Sequence, residues 1–403
     1  MSGPPNHADD QEPGADVTIT GVGLVTPLGV SPWATFRALL DSRTTADRLD
    51  DLPAGLDATG IARATGAVSL AAHAPADPAL DLAERAGRQA LADAGIEPES
   101  NQASTTDLWI ASSKGAILTV LDPSQRRLPG LDAIVMGPHG HLAEHVRRRL
   151  GLGLTAAPVA ACATSLIAML GAADAVREGR SDRAIVIAVE AALHPLFVRS
   201  YERLGALAPI RPVAAHVARP LDHRRAGFTL CEVAAAVVIE RAPLDRSVRA
   251  IWARVDPGAS MTEPHHMVRA AAVFEAVERA ARSLLPGARR ISLIQPHAPG
   301  TADNDERELT ALAGALGKRA KGAAVYASKG AIGHGLGASG LVNVVLSCLM
   351  MRTGKAPPMP WLTRPVESAF ALSAAGAALE RGSHLLTAAG FGGHVAAARL
   401  DPP

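Results

Sequence analysis

The chain has 403 residues, of which 48% are hydrophobic and 20% charged, so it has material for a large core and for two or three domains. The 40 Lys and Arg residues nearly balance the 39 Asp and Glu residues and 3% of residues are aromatic, which excludes a broad basic nucleic-acid surface and a stacking platform for single strands. Three cysteines exclude a disulfide framework and a four-cysteine zinc site, and they indicate a reducing, cytoplasmic location.

The first half of the chain alternates strand and helix patterns. Short β-branched or apolar runs predict strands at 17–27, 108–113, 157–163 and 183–192. Apolar residues at helical spacing predict helices at 31–40, 78–94, 138–150 and 165–178, with Ser31 and Asp77 as N-caps before prolines. The run at 183–192 is apolar almost throughout, which is typical of a strand covered on both faces.

The second half repeats this alternation. Strands are predicted at 232–241, 248–255, 291–297, 323–328, 384–390 and 394–400, and helices at 265–285, 306–316 and 339–352. The pattern indicates an α/β class, and two similar halves of about 200 residues fit a duplicated fold. We place the boundary near Ala242–Arg249, which gives an N-terminal half at 16–245 and a C-terminal half at 246–403.

No segment of the sequence indicates export or insertion into a membrane. The longest apolar runs are broken by a charged residue or a glycine within about a dozen residues, which is too short for a span. Residues 1–15 are polar and rich in Pro and Gly, without the basic-then-apolar order of a signal peptide. We expect them to form a disordered tail.

Cys162 is placed where a predicted buried strand ends and a helix begins. A thiol at that point faces unpaired N–H groups and the positive end of the helix dipole, so we expect a lowered pKa and a reactive thiolate. The same N–H groups could hold an oxyanion. Judged by its position alone, Cys162 could instead be a buried, unreactive cysteine. Cys231 and Cys348 lie in apolar strand and helix patterns, and we interpret both as core residues.

Two of the 14 histidines stand out by their positions. His297 ends an apolar strand and opens a turn, and His334 lies in a glycine-rich loop before a helix, where backbone can approach a ligand closely. Lys329 precedes His334 by five residues. Asp305 and Glu308 lie on the helix after His297, where a carboxylate could orient a lysine or a histidine.

The segment His141–His145 matches the H-x-x-E-H pattern of one class of zinc protease, with both histidines on one helix face. The predicted helix is short and lies at the surface, and three arginines follow it directly. We interpret the segment as a solvated helix face. The sequence contains no phosphate-binding P-loop pattern, and the glycines near residue 21 lack the third glycine of a dinucleotide loop.

Taken together, these segments resemble the β-ketoacyl-acyl carrier protein synthases, the condensing enzymes of the thiolase fold. The resemblance covers residues 17–400 in the family's order. It rests on six segments: VTITGVGLVTPLG, VAACATSLIA, ARPLDHRRAGFTLCEVAA, QPHAPGTADNDERE, ASKGAIGHGLGASG and GFGGHV. The fold that it implies is five-layered αβαβα, with two sheets between three helical layers, built from two similar halves.

The resemblance implies a catalytic set of Cys162, His297, His334, Lys329 and Glu308. Cys162 would accept the acyl group, both histidines would flank the second substrate, and Lys329 would be a buried lysine paired with Glu308. Asp305 matches the family's aspartate in the same helix.

The resemblance also assigns the surroundings of the nucleophile. The N–H groups of Cys162 and Phe391 would form the oxyanion hole, and Phe391 would gate the substrate. Thr301 would bind the carrier's pantetheine arm, and Tyr201 would lie near the acyl pocket and the dimer interface.

The implied reaction is the decarboxylative condensation of a malonyl-type carrier thioester with the acyl group on Cys162, in fatty acid or specialised polyketide-type biosynthesis. It needs no metal or organic cofactor. The implied partners are an acyl carrier protein and a second subunit, in a homodimer or in a heterodimer with a paralogue. Three alternatives remain open: a non-condensing partner subunit of the chain-length-factor type, a cysteine-dependent acyltransferase or hydrolase, and a thiolase-like scaffold used only for binding.

Several positions depart from the family pattern. Pro299 replaces the first of two threonines that hold the pantetheine arm, and proline has neither a hydroxyl nor an N–H group. Thr301 keeps the second threonine. Further differences occur at Ser165, Cys231–Val233, Ala388–Ala389 and His394–Val395. They surround the catalytic residues and spare them, so we expect an altered substrate or carrier geometry.

Overall fold

The computed structural model of the protein describes residues 16–45, 61–62, 77–121, 131–209, 218–242, 250–262, 273–288 and 290–403. The predicted tail at 1–15 and nearly all of the predicted boundary at 242–249 lie outside these ranges. Both therefore remain predictions.

The described chain alternates strands and helices. The strands are β1 (Val17–Val25), β2 (Ile61–Ala62), β3 (Asp107–Ala111), β4 (Thr155–Ala156), β5 (Arg183–Glu190), β6 (Leu230–Cys231), β7 (Val233–Arg241), β8 (Ala253–Val255), β9 (Ala259–Thr262), β10 (Ile291–Gln295), β11 (Ala324–Val325), β12 (Lys355–Ala356), β13 (Ala377–Ala378), β14 (Ser383–Gly390) and β15 (His394–Asp401). The helices are α1 (Pro32–Leu40), α2 (Pro78–Asp93), α3 (Asn101–Ser104), α4 (Leu118–Leu121), α5 (Leu131–Leu150), α6 (Thr164–Arg177), α7 (Pro195–Arg203), α8 (Val273–Ser283), α9 (Asp305–Leu316), α10 (Lys329–Ile332) and α11 (Ser339–Thr353).

Two half-sheets with the same internal arrangement form the framework. The first has the order β4–β3–β5–β7–β1 and the second has the order β11–β10–β14–β15–β8. In each half-sheet the first two neighbouring pairs are parallel and the next two are antiparallel. Strand β8 also pairs with β1 and so joins the two halves along one edge. The repeated arrangement confirms the prediction of a duplicated fold.

Helices lie in three layers around the half-sheets. Helix α2 covers the first half-sheet through β1, β5 and β7, and α5 packs against α2. Helices α6 and α11 lie between the half-sheets, because each contacts strands of both. Helix α8 covers β14 and β15 on the far side and packs against α9. These contacts confirm the predicted αβαβα architecture.

Helix α11 occupies the centre of the molecule. Its residues from Ser339 to Met350 are all buried. The segment Leu336–Thr353 is long and apolar enough to cross a membrane, yet 83% of it is buried inside the fold. A helix that is apolar all round is expected in the core of a large protein, and packing between the half-sheets explains its composition.

Helix α2 lies directly against β1 because glycines remove the side chains between them. A Cβ atom on Gly23 would lie 2.0 Å from the carbonyl oxygen of Ala86, and one on Gly21 would lie 2.1 Å from that of Ala90. Any larger residue at these two strand positions would push the helix away from the sheet.

The predicted N-caps are confirmed. The Ser31 hydroxyl accepts a hydrogen bond from the Ala34 N–H group at 3.2 Å, and the Asp77 carboxylate accepts one from the Ala79 N–H group at 3.0 Å. Each side chain satisfies one of the N–H groups that the first turn of a helix leaves without a partner.

Some predicted elements differ from the structure. The predicted strand at 157–163 is wrong: β4 ends at Ala156, and Ala161–Ala163 form a 3-10 turn that leads into α6. Helix α7 was not predicted. Gly137, with φ 67°, interrupts α5, so the regular helix begins at Pro138 as expected. The helix predicted at 265–285 is described from Val273 to Ser283, and its earlier residues lie outside the described ranges.

Candidate active site

Cys162 lies in the 3-10 turn at the N-terminal end of α6, where it is 8% exposed. Ala161 before it has φ 48°, a left-handed conformation that is unfavourable for alanine. The Thr164 hydroxyl holds this turn, because it accepts a hydrogen bond from the Ala160 N–H group at 2.8 Å and donates one to the Ala161 carbonyl at 2.6 Å. The tight turn fixes the direction of the thiol.

The acidity of Cys162 differs from the expectation. Burial raises the pKa of its thiol to about 11, although the charge of Lys329 opposes the rise. The prediction of a lowered pKa is therefore wrong, since the loss of hydration outweighs the nearby positive charges. At neutral pH the side chain is therefore a thiol, which would have to lose a proton to act as a nucleophile. Cys231 and Cys348 are buried in the core, as predicted.

His297 and His334 face each other in the interior. His297 follows β10, His334 lies between α10 and α11, and their ring centroids are 5.4 Å apart at an interplanar angle of 75°. Burial, with a further contribution from the charge of Lys329, holds both pKa values well below the usual histidine value. Both rings are therefore neutral at pH 7, and each can donate one ring N–H group.

The orientation of the His334 ring is set by two contacts. Its Nδ1 atom lies 2.9 Å from the hydroxyl of Ser339, and the edge of the Phe228 ring packs against it at a centroid distance of 4.8 Å. A hydroxyl that donates to Nδ1 leaves the proton on Nε2. That tautomer provides a hydrogen-bond donor on the side of the ring away from Ser339.

Glu308 supports the backbone at His297. Its carboxylate accepts hydrogen bonds from the N–H groups of His297 at 2.7 Å and Ala298 at 2.8 Å, and from the side chains of Asn304 at 2.9 Å and Thr387 at 2.7 Å. Ala298 has φ 32°, so the turn needs this support. Glu308 thus positions His297 through the main chain.

Lys329 is 3% exposed, as the resemblance implied, but its hydrogen bond differs from the expected pairing. The ammonium donates to the carbonyl oxygen of His297, and the carboxylate of Glu308 acts on Lys329 through its charge. Burial lowers the pKa of Lys329 to about 8, against the effect of Glu308. Lys329 and Glu308 therefore hold the same peptide segment from two sides.

Asp305 organises the neighbouring loop. Its carboxylate accepts hydrogen bonds from the N–H groups of Leu221 at 2.8 Å and Gly300 at 3.0 Å, and burial raises its pKa to about 7. Thr301 follows Gly300 and is half-buried, and its carbonyl oxygen accepts a hydrogen bond from Arg225 at 3.1 Å. The loop that carries Pro299 and Thr301 is thus anchored at both ends.

The end of β14 packs against the turn of Cys162. A Cβ atom on Gly390 would lie 2.7 Å from the carbonyl oxygen of Ala160 and 3.1 Å from the nitrogen of Cys162. Glycine is therefore required at this position. Phe391 comes directly after Gly390 and is 40% exposed, so part of its surface is open to solvent.

An apolar cluster lines one side of Cys162. Tyr201 of α7 is 8% exposed and packs edge-on against Phe228 with ring centroids 5.8 Å apart. The cluster consists of Cys162, Leu193, Val198, Tyr201, Ala206, Leu207, Phe228, Leu230 and Leu336. The structure therefore places Tyr201 in the same apolar cluster as Cys162.

Two charged residues near Cys162 were missed by the sequence analysis. Glu190 ends β5, is 2% exposed, and accepts a hydrogen bond from the N–H group of Ser113. Lys114 is half-buried, with its Nζ atom 5.7 Å from the centroid of the Phe197 ring. Glu190 could have been recognised in the sequence as a carboxylate that ends an otherwise apolar strand.

The His141–His145 segment carries ion pairs. Glu144 binds Arg147 at 2.7 Å and also pairs with Arg148, and His145 lies 3.7 Å from Glu84. The carboxylate of Glu144 thus forms ion pairs with two arginines, which fits the interpretation as a solvated helix face.

Comparisons with known families match both halves of the chain. Residues 15–244 match the family described as "Beta-ketoacyl synthase, N-terminal domain", and residues 250–363 match "Beta-ketoacyl synthase, C-terminal domain". The matches together span most of the chain.

Characterised relatives resemble the chain over nearly its whole length. The tetracenomycin polyketide synthase ketoacyl synthase alpha subunit of Streptomyces glaucescens is 28% identical, with 96% of this chain and 97% of the relative covered. The 3-oxoacyl-[acyl-carrier-protein] synthase 2 of Coxiella burnetii is 28% identical, with 87% and 89% covered.

Solved structures share the fold. A type II polyketide ketosynthase, solved with its acyl carrier protein and a bound hexaketide, superposes with a TM-score of 0.81 at 22% identity and covers 97% of this chain and 100% of its own. A β-ketoacyl synthase from Burkholderia phymatum also gives a TM-score of 0.81, at 21% identity, with 96% and 100% covered.

Proposed function

The chain belongs to the β-ketoacyl synthase family of condensing enzymes, and on that premise we propose that it joins an acyl group held on Cys162 to a malonyl-type thioester by decarboxylative condensation. The observation that carries this proposal is the convergence of two buried histidine rings, with centroids 5.4 Å apart, and a buried lysine that donates to the carbonyl oxygen of one of them. The matched relatives are themselves ketosynthases, which favours a condensing enzyme over a non-condensing partner subunit.

The first step loads the enzyme. The sulfur of Cys162 attacks the carbonyl carbon of an acyl thioester, the carbon–sulfur bond to the carrier breaks, and the thiol proton passes to the leaving carrier sulfur. The negative charge on the carbonyl oxygen would be held by the N–H groups of Cys162 and Phe391, which the packing of Gly390 supports. Burial raises the pKa of the thiol, and the positive charge of Lys329 favours its ionisation.

The second step uses the histidines. A malonyl-type thioester loses CO2, and the electron pair of the broken carbon–carbon bond forms an enolate. Two neutral imidazoles, His297 and His334, would donate hydrogen bonds to the enolate oxygen. The carbanion then attacks the acyl carbonyl on Cys162, forms the new carbon–carbon bond, and releases the cysteine sulfur.

We also propose the partners of this reaction. The substrates would be carried by an acyl carrier protein in the cytoplasm, with Thr301 contacting the pantetheine arm. Pro299 removes one contact of that arm, so the chain would hold it differently from the family pattern. A second subunit, identical or paralogous, would pack at β4, the last strand of the first half-sheet, near which Leu154 is 80% and Val159 is 52% exposed.

Incubation with acyl and malonyl carrier thioesters tests the proposal. We expect an acyl adduct on Cys162 by peptide mass spectrometry, followed by release of CO2 and a β-keto product, and neither the adduct nor the β-keto product in Cys162→Ala. An acyl adduct that is passed on without CO2 release would instead identify an acyltransferase. The absence of any adduct would contradict the proposal and point to a non-condensing subunit.

A further inference from the structure

A positively charged side chain borders the apolar cluster around the nucleophile. Lys114 follows β3, and its Nζ atom lies 5.7 Å from the centroid of the Phe197 ring. Phe197 packs against the cluster that contains Cys162 and Tyr201. An acyl chain attached to Cys162 and lying along this cluster would therefore meet an ammonium group.

Glu190 fixes the loop that carries Lys114. Strands β3 and β5 are parallel neighbours, so their carboxyl ends lie side by side. At that edge the N–H group of Ser113 donates to Oε1 of Glu190, while Oε2 has no hydrogen-bond partner among the described residues. Burial raises the pKa of Glu190, and the charge of Lys114 opposes the rise. The lysine is thus held beside a buried carboxyl group.

Gly337 links this charged group to the nucleophile. A Cβ atom at Gly337 would lie 2.8 Å from Oε1 of Glu190 and 3.1 Å from the carbonyl oxygen of Ala161. The carboxyl group of Glu190 and the turn that carries Cys162 therefore pack against the same point of the backbone. Glu190 thus lies beside the turn of Cys162, and the charges of both Glu190 and Lys114 act on its thiol.

We propose that Lys114 selects acyl groups that carry a carbonyl or carboxylate oxygen along the chain, in preference to plain alkyl groups. The inference rests on the proposed loading of Cys162. A hydrocarbon chain beside the ammonium would remove water from a charge and offer no partner, which is unfavourable. A carbonyl or carboxylate oxygen would accept a charge-assisted hydrogen bond instead.

Loading of Cys162 by butyryl and acetoacetyl thioesters tests this selection, because the two acyl groups have the same chain length and differ by one carbonyl. Single-turnover rates are measured by intact mass. In Lys114→Met we expect the acetoacetyl-to-butyryl rate ratio to fall roughly 10- to 100-fold, the effect of losing a hydrogen bond to a charged group. Lys114→Arg keeps the charge and should retain most of the ratio.

Lys321→Met removes an exposed lysine and is the control that should leave the ratio unchanged. An equal ratio in wild type and Lys114→Met would overturn the inference while leaving the proposed function standing, because Cys162 is still acylated. Failure of both thioesters to load Cys162 would overturn the proposed function and this inference with it. If Lys114→Met does not fold, Lys114→Gln serves for the same comparison.

Discussion

The ammonium of Lys329 donates its hydrogen bond to the main-chain carbonyl oxygen of His297, and the carboxylate of Glu308 accepts hydrogen bonds from the N–H group of that same histidine. Glu308 thus binds the N–H group of the His297 backbone, and Lys329 binds its carbonyl group. This arrangement separates two roles that a direct ion pair would have combined: Glu308 supports the turn, and Lys329 brings a positive charge close to Cys162.

Lys329→Met should therefore fold and lose activity. Glu308 keeps four hydrogen-bond donors without the lysine, and these donors compensate the charge that stays buried on its carboxylate. We expect the condensation rate to fall about 10- to 100-fold, since a hydrogen bond from a charged group to His297 is lost. Thermal unfolding and product formation measure the two effects, and unfolding of the variant at room temperature would contradict this separation.

Glu308→Gln, in contrast, should lower the free energy of unfolding. An amide nitrogen would face N–H donors, so at least one of the His297 and Ala298 N–H groups would lose its acceptor, at a cost of about 1–3 kcal/mol. The control is Glu306→Gln on the same helix, whose side chain is 47% exposed and pairs with Arg225 at the surface. Denaturant unfolding measures both variants. Equal midpoints would show that the turn does not depend on Glu308.

Sequence patterns predicted the framework, and they singled out residues that the structure brings close together. The apolar run at 183–192 identified β5, and the order of the segments around Cys162, His297 and His334 gave the candidate site. Contacts between residues far apart in the sequence could not be predicted in the same way. The resemblance implied that Lys329 pairs with Glu308. The charge of Glu308 does act on Lys329, but the ammonium donates its hydrogen bond to a backbone carbonyl, which no side-chain pattern reports.

Lys114 shows a second limit of the sequence. A lysine just after a strand is normally interpreted as a solvated loop residue. Its position over Phe197 depends on where α7 lies, and α7 itself was not predicted. The pKa of Cys162 was predicted wrongly for a related reason. The nearby helix end favours the thiolate, but burial by segments distant in the sequence disfavours it more strongly.

Cys162 should be the first thiol to be alkylated, and its rate should keep rising with pH. The side chain is 8% exposed, whereas Cys231 and Cys348 are 4% and 0% exposed. Because the pKa of Cys162 is raised to about 11, the reactive thiolate fraction grows throughout the range from neutral pH to pH 10. Iodoacetamide labelling with peptide mapping measures this. A plateau above pH 7 would indicate a lowered pKa, and earlier labelling of Cys231 or Cys348 would reject the assignment.

Leu154→Arg should weaken the association of subunits. Leu154 lies next to β4, the last strand of the first half-sheet, and is 80% exposed, so a charge there would be buried by a partner packed on that strand. Val30→Arg, in the loop between β1 and α1, changes another exposed apolar residue and serves as the control. Light scattering at micromolar concentration should show a dimer for wild type and Val30→Arg and a monomer for Leu154→Arg. An active wild-type monomer would contradict the proposed interface.

The two histidines allow the steps of the reaction to be separated. If His297 and His334 stabilise the enolate, replacing either with Ala should spare the loading of Cys162 and reduce condensation by roughly 10²–10³, the effect of losing one preorganised donor. Both rings are neutral because burial and then the charge of Lys329 lower their pKa values, so each remains a donor across the physiological range.

The raised pKa of Cys162 favours a competing role, in which one imidazole accepts the thiol proton during loading. Single-turnover acylation, measured apart from CO2 release for His297→Ala and His334→Ala, distinguishes the two. A variant that loads acyl groups slowly but decarboxylates malonyl thioester at the wild-type rate would assign the missing histidine to the first step. Loss of CO2 release with normal loading would assign it to the enolate, because an acyl-enzyme that has already formed no longer needs a base at the sulfur.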